Sequence, residues 1–146
     1  MTEENQNKQK DILSLAAVFR EAIENTPGLP VPLDRFPKGA CGETCDLLAQ
    51  WLWEHHIESY YYCGRRADGA THAWLEADGQ IVDITGDQFP EFPYSIYVGP
   101  LTMFHAQFST PEVEHDMKNG FHCYDPASVG TLTSEYKQIL DSVAEI

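Results

Sequence analysis

The stretch that decides the fold is Thr71-His72-Ala73-Trp74-Leu75-Glu76-Ala77-Asp78-Gly79-Gln80-Ile81-Val82-Asp83-Ile84-Thr85. The pair Asp78-Gly79 between two strand-like runs is a strong signal for a β-hairpin, because both residues tolerate positive φ. If these two residues form the turn, Trp74 lies opposite Asp83. His72 and Asp83 are then diagonal neighbours on one face, about 7–8 Å apart at Cα. A four-residue loop would keep this register, whereas a three-residue loop would put the two side chains on opposite faces.

A candidate nucleophile lies upstream, in Phe36-Pro37-Lys38-Gly39-Ala40-Cys41-Gly42-Glu43. Here a Pro/Gly loop ends and an apolar helix is predicted to begin, at Cys41. The dipole and free N–H groups of a helix start stabilise a thiolate. In this scheme His72 takes the thiol proton, and Asp83 holds the imidazole in the required tautomer. Asp87 is the alternative orienting carboxylate if the hairpin register differs.

These two segments resemble the nucleophile segment and the His-Ala-Trp … Asp hairpin of papain-like and transglutaminase-like cysteine enzymes. The order Cys, His, Asp along the chain matches as well. The run from Asp83 to Phe89 is similar to that of small bacterial and phage-associated members. The resemblance covers residues 34–90 and implies a nucleophile helix packed on an antiparallel sheet. It also implies acyl-transfer chemistry at amides or thioesters through a thioester acyl-enzyme, without a cofactor.

The oxyanion site departs from the papain pattern, because none of the Gln or Asn residues upstream of Cys41 stands out as the donor. We therefore expect backbone N–H groups to bind the oxyanion, with Gly42 allowing close approach and Thr44 or Gln88 adding a donor. Trp74 is expected to cover the His–Asp hydrogen bond or to belong to the core.

Three functions follow from this reading. The first is a cysteine hydrolase (peptidase, amidase or deamidase) acting on a peptide, a protein or a small amide. The second is an acyltransferase or crosslinking enzyme with the same triad, in which an amine replaces water. The third is a non-catalytic binding or immunity-type protein on the same scaffold. The resemblance alone does not choose among substrates, because one fold hosts many functions.

The rest of the chain predicts a single α+β domain over residues 1–146, since helices precede an antiparallel sheet. Helices are predicted over 8–25, 41–55 and 131–144, the last with Thr133 as its N-cap. Strands are predicted over 58–64, 71–77, 80–85, 94–98 and 102–108, and residues 111–130 are expected to be irregular.

Composition excludes several classes of partner. The net charge of −14, from 23 acidic residues against nine Lys and Arg, repels nucleic-acid phosphates and anionic membranes. No apolar run reaches the roughly 18–20 residues that a membrane span needs. The polar, acidic N-terminus is not a secretory signal. We therefore expect a cytoplasmic protein that binds neither nucleic acid nor membrane.

The cysteines and histidines could instead form disulfides or bind a metal ion. The cysteines are expected to be free thiols, and the Cys45 side chain is expected to lie in the core. The alternative is that the Cys45 thiol reacts with an oxidised Cys41 and protects it. A zinc site is disfavoured because the chain has no Cys-x-x-Cys pair, so neither a metal nor a cofactor is expected. His105 and His115 are expected to face solvent. The ligands considered for zinc are Cys41, Cys45, Cys63, Cys123, His72 and His122.

Overall fold

A computed structural model describes residues 3–116, 120–121 and 124–143, with the backbone alone for 5–6 and 110–116. Its elements confirm the α+β class. The helices are α1 (Glu3–Glu24), α2 (Cys41–Glu54), α3 (Met103–Ala106) and α4 (Pro126–Val143). The strands are β1 (Tyr60–Arg65), β2 (Thr71–Ala77), β3 (Gln80–Asp83), β4 (Tyr97–Gly99) and β5 (Thr110–Asp116), and short 3-10 turns span Leu33–Arg35 and Gly86–Gln88.

The five strands form one sheet in the order β4-β3-β2-β1-β5, and all neighbouring strands run antiparallel. The predicted hairpin register is confirmed, because Ala77 pairs with Gln80 across the turn. Asp78 and Gly79 take φ values of 51° and 73°, as a two-residue turn with positive φ at both positions requires.

Both faces of the sheet are covered. Side chains alternate between the two faces along each strand, and each face packs against a different cluster. Leu75 and Val82 belong to the larger core, which also holds the buried side chains of α1, α2 and α4. Trp74 and Ile81 point the other way, into a smaller cluster with Phe92, Phe104 and Phe108. The segment that follows β3 thus returns over the sheet as a second layer. None of the described helices has the length and apolar character that a membrane span requires.

The prediction of a strand over 102–108 is wrong. Thr102 has an extended backbone (φ −103°, ψ 165°), and its hydroxyl accepts the N–H of His105, so it caps the short helix α3. A threonine three residues before a helical N–H is an N-cap arrangement. The order of threonine and aromatic residues in this segment therefore follows a helical turn instead of a strand.

Other boundaries also differ from the prediction. Helix α1 begins at Glu3, with acidic residues in its first turn, where they favour the helix dipole. Helix α4 begins at Pro126 instead of residue 131, because the Asp125 carboxylate accepts the N–H of Ser128 at 3.1 Å and proline suits the first helical position. Residues 110–116 form the edge strand β5 instead of an irregular segment. Residue 144, the predicted end of the last helix, lies outside the described residues.

Candidate active site

Cys41 is the first residue of α2, and its position follows from the loop before it. Gly39 has a φ of 68°, a left-handed conformation that glycine adopts at little cost. Ala40 precedes the helix and its side chain provides no cap. The first N–H groups of a helix have no partner within the helix. The Cys41 thiol is half-buried at this helix start, a position that favours a thiolate.

His72 and Asp83 meet across the hairpin. The distance from His72 Nε2 to Asp83 Oδ2 is 2.8 Å, and the two residues are 0% and 1% exposed. An ionised carboxylate can only accept hydrogen bonds, so His72 Nε2 must carry the proton. The other ring nitrogen, Nδ1, is then available to a thiol. This is the tautomer that a general base beside a cysteine needs.

Cys41 lies next to the His72–Asp83 pair. Its thiol interacts with the His72 side chain, and it also lies within reach of the Ala73 backbone and the Gln88 side chain. Burial acts to raise the pKa of the Cys41 thiol, but His72, the Ala73 backbone and Gln88 together outweigh burial and lower it. The structure therefore brings the three predicted residues, Cys41, His72 and Asp83, together.

The electrostatics of the pair support an imidazolium. Burial acts to lower the pKa of His72, but the charge and hydrogen bond of Asp83 raise it to about 9. The pKa of Asp83 is held far below its ordinary range, because His72 and His105 outweigh the effect of burial on that carboxyl. A neighbouring opposite charge favours the ionised form of each partner. A thiolate facing an imidazolium is the form that these pKa directions favour.

Gln88 is the polar side chain that the 3-10 turn after β3 presents to the site. Its Oε1 accepts the N–H of Gly39 at 3.4 Å, which orients the amide. Its Nε2 then lies 3.3 Å from His72 Nδ1 and within reach of the Cys41 thiol. This amide N–H is therefore a donor located beside the nucleophile, where an oxyanion would form.

The other expected supporting residues differ in their placement. Gly42 lies in the first turn of α2, where an added Cβ would be 3.5 Å from the Tyr61 hydroxyl. Thr44 lies in the first turn of α2, where its N–H donates to the Ala40 carbonyl at 2.9 Å and its side chain is buried, so its role as an oxyanion donor stays a prediction. Trp74 lies beside the imidazole of His72, with ring centroids 5.6 Å apart.

An aromatic layer shields the His72–Asp83 pair from water. The rings of Phe89, Phe104 and Phe108 lie 5.2, 5.9 and 5.7 Å from the His72 ring. With Trp74 they leave that imidazole no exposed surface. Hydrogen bonds between ionised groups are stronger in such a dry environment than in water.

The sequence reasoning missed His105, which is buried instead of solvent-facing. Its Nε2 lies 2.8 Å from Asp83 Oδ2, the same oxygen that His72 contacts. Two signals were available in the sequence. Thr102 precedes His105 at the spacing of an N-cap, and Phe104 and Phe108 are separated by four residues, which places them on one face of a helical turn.

Two other candidates have different partners. Asp87, the alternative orienting carboxylate, accepts two hydrogen bonds from Arg20 at 2.7 and 2.8 Å, so it does not orient His72. Cys45 is buried beside the core of α2, and burial raises its pKa well above the ordinary value. A thiol in that state is a poor nucleophile.

One group of residues could surround a metal ion. Among the described residues, only His72, Asp83 and His105 have three ligand atoms within 4.8 Å of one another, and no cysteine joins them. These atoms already satisfy one another through 2.8 Å hydrogen bonds, so we interpret the group as a carboxylate network. Cys123 and His122, which the zinc alternative needs, lie outside the described residues.

Comparison with known proteins gives no family. No protein-family model matches the chain, and no curated protein and no solved structure shows significant similarity to it. The functional argument therefore rests on the geometry of the site.

Proposed function

We propose that the chain is a cysteine hydrolase that cleaves an amide or peptide bond through Cys41, His72 and Asp83. The observation that carries the proposal is that the Cys41 thiol interacts with the His72 side chain, whose Nε2 lies 2.8 Å from Asp83 Oδ2. A helix that begins at the cysteine and packs on an antiparallel sheet also fits a papain-like or transglutaminase-like core. We include that core in the proposal.

The first half of the reaction forms an acyl-enzyme. The Cys41 thiolate attacks the substrate carbonyl carbon, a C–S bond forms, and the carbonyl π electrons move to oxygen. The N–H groups at the start of α2 and Nε2 of Gln88 stabilise that oxyanion. His72 then gives its Nδ1 proton to the leaving nitrogen as the C–N bond breaks. The product is an amine and a thioester on Cys41.

The second half releases the acid. His72, now neutral at Nδ1, takes a proton from water, and the water oxygen attacks the thioester carbonyl carbon. When the C–S bond breaks, its electrons return to sulfur and regenerate the thiolate beside the imidazolium. Asp83 stays ionised throughout and keeps the Nε2 proton of His72 in place. If a substrate amine replaces water in this step, the same groups perform acyl transfer.

The test is acylation of the wild-type protein by p-nitrophenyl acetate, a generic acyl donor, with peptide mass spectrometry. We expect an acetyl thioester on Cys41 that C41S abolishes and that C45S, the matched control, retains. Added hydroxylamine or a primary amine should intercept the thioester, and the ratio of amide to acid separates transfer from hydrolysis. Iodoacetamide at about pH 6 should label Cys41 at least tenfold faster than Cys45 or Cys63, because only a thiolate reacts readily. Equal, slow labelling without acylation would support a non-catalytic scaffold instead.

A further inference from the structure

The Asp83 carboxylate is held by more donors than one catalytic imidazole supplies. Its Oδ2 lies 2.8 Å from Nε2 of His72 and 2.8 Å from Nε2 of His105. Its Oδ1 accepts the Thr85 N–H at 2.9 Å, with the Thr85 hydroxyl at 3.5 Å. A buried carboxylate remains ionised only when such donors compensate for lost water. His105 is one of them, although it is 22 residues from Asp83 along the chain.

The tautomer of His105 follows from Thr102. The Thr102 hydroxyl accepts the backbone N–H of His105 at 3.0 Å and lies 2.7 Å from its Nδ1. Because the hydroxyl accepts on one side, it can donate its proton to Nδ1. The ring proton of His105 then sits on Nε2 and points at Asp83. Helix α3 therefore presents the Nε2–H of His105 to Asp83 as a hydrogen-bond donor.

The two histidines compete for one oxygen. Negative charge on Oδ2 that is shared with His105 is less available to His72, since a hydrogen bond to a carboxylate lowers its basicity. We propose, building on the proposed function, that His105 is a positioning residue that fixes Asp83 and limits how strongly Asp83 holds the proton of His72. Without that limit the imidazolium would release its proton less readily to a leaving group.

The surroundings of His105 make the idea testable, because they are mostly aromatic. Its ring lies 4.8 Å from Trp74, 5.2 Å from Phe92 and 5.1 Å from Phe104. The titratable groups facing it are His72 and Asp83 on the sheet and Tyr97, whose ring lies 5.8 Å away. Phenylalanine at 105 would preserve the aromatic packing and remove the donor. Glutamine would retain a donor for Asp83 and an acceptor for Thr102.

The experiment follows the His72 ring nitrogens by ¹⁵N NMR from about pH 5 to about pH 10, across the range in which an imidazole beside a carboxylate titrates. We expect H105F to raise the pKa of His72 by roughly 0.5–1 pH unit, about the effect of one hydrogen bond to the carboxylate. H105Q should return it to within about 0.3 units of wild type, since it restores a donor. H56N is the matched control, because His56 is exposed and has a φ of 64° that asparagine tolerates.

Three results would overturn the proposal. One is a His72 titration unchanged in both variants while their melting temperatures fall, which would make His105 a packing residue. Another is an equal shift in H105F and H105Q, which would assign the effect to lost packing. The third is a His105 ring protonated at Nδ1 instead of Nε2, which is measured on the wild-type protein and so does not depend on whether a variant folds. Acylation of Cys41 is scored separately, so failure of the catalytic proposal is distinguishable from failure of this one.

Discussion

Replacing Asp83 by asparagine tests whether the carboxylate supports the imidazolium. Asparagine offers one acceptor and one donor, whereas both carboxylate oxygens of Asp83 face N–H groups. If the amide nitrogen faces the histidines, His72 must present a bare Nε2 and carry its proton on Nδ1. The proton then lies on the nitrogen that should accept the thiol proton, so the ring cannot act as the base.

The size of the effect follows from the His72 pKa. Burial acts to lower that pKa, but Asp83 and Cys41 raise it from 6.5 to about 9. This rise corresponds to roughly 3 kcal/mol, or on the order of a few hundred-fold in the equilibrium between the neutral pair and the ion pair. Losing most of it should lower the thiolate population of Cys41 at about pH 6 on the order of 100-fold, because each 1.36 kcal/mol is a factor of ten.

The assay is the rate of Cys41 alkylation by iodoacetamide against pH, read at the peptide level. In D83N the midpoint of the profile should move up toward that of an ordinary thiol, about 8.5. D78N is the matched control, because Asp78 is exposed at the hairpin turn and asparagine tolerates its φ of 51°. Alkylation of folded D83N within about threefold of wild type at pH 6 would refute the electrostatic reasoning, because a lost ion pair should cost far more. Rapid labelling of all cysteines would instead indicate unfolding.

Two further substitutions test the framework around the site. R20K should lower the free energy of unfolding in urea by roughly 2–4 kcal/mol. The buried Arg20 guanidinium donates two hydrogen bonds to Asp87 and one to each of two backbone carbonyls, and a lysine ammonium cannot keep all of these bonds. A loss below about 0.5 kcal/mol would contradict this explanation. E135Q should raise the free energy of unfolding by roughly 1–3 kcal/mol at pH 8 and little at pH 5. The control is D141N on the same helix. Burial and the neighbouring Glu43 raise the pKa of Glu135 from 4.5 to about 8. The contribution of Glu135 to stability is therefore full below pH 4.5 and is lost as pH rises through 8. Equal effects of E135Q at both pH values would exclude an interaction between the two carboxyl groups.

The parts of the fold that could be predicted from sequence are those that local chemistry determines. The Asp78-Gly79 turn sets the register of β2 and β3 by itself, and the register then puts His72 and Asp83 on one face. The start of α2 at Cys41 follows from the glycine before it and the apolar stripe after it. Each of these signals spans only a few residues, so no knowledge of distant contacts is needed.

The parts that were missed depend on contacts distant in sequence or on short elements. Helix α3 contains a single turn, too short for a periodic pattern to distinguish it from a strand. Strand β5 carries Pro111 and several charges on a sheet edge, where neither alternation nor β propensity is required. The role of His105 depends on Asp83, and a pairing between separate elements cannot be read from local pattern. The Asp125-Pro126 start of α4 is a local signal, since both residues favour a helix start, although the prediction places the N-cap at Thr133.

The missed residues also change where the candidate active site ends. The resemblance covers residues 34–90, yet within that range Asp83 would retain only His72 and Thr85 as donors. The rings of Phe104 and Phe108, which cover His72, come from the segment after β4. Without that segment the buried carboxylate would lose a donor and the imidazole would face water, and both changes weaken the ion pair. The segment from Tyr97 to Phe108 is therefore part of the candidate active site, and it links the second layer of the fold directly to the ionisation of Cys41.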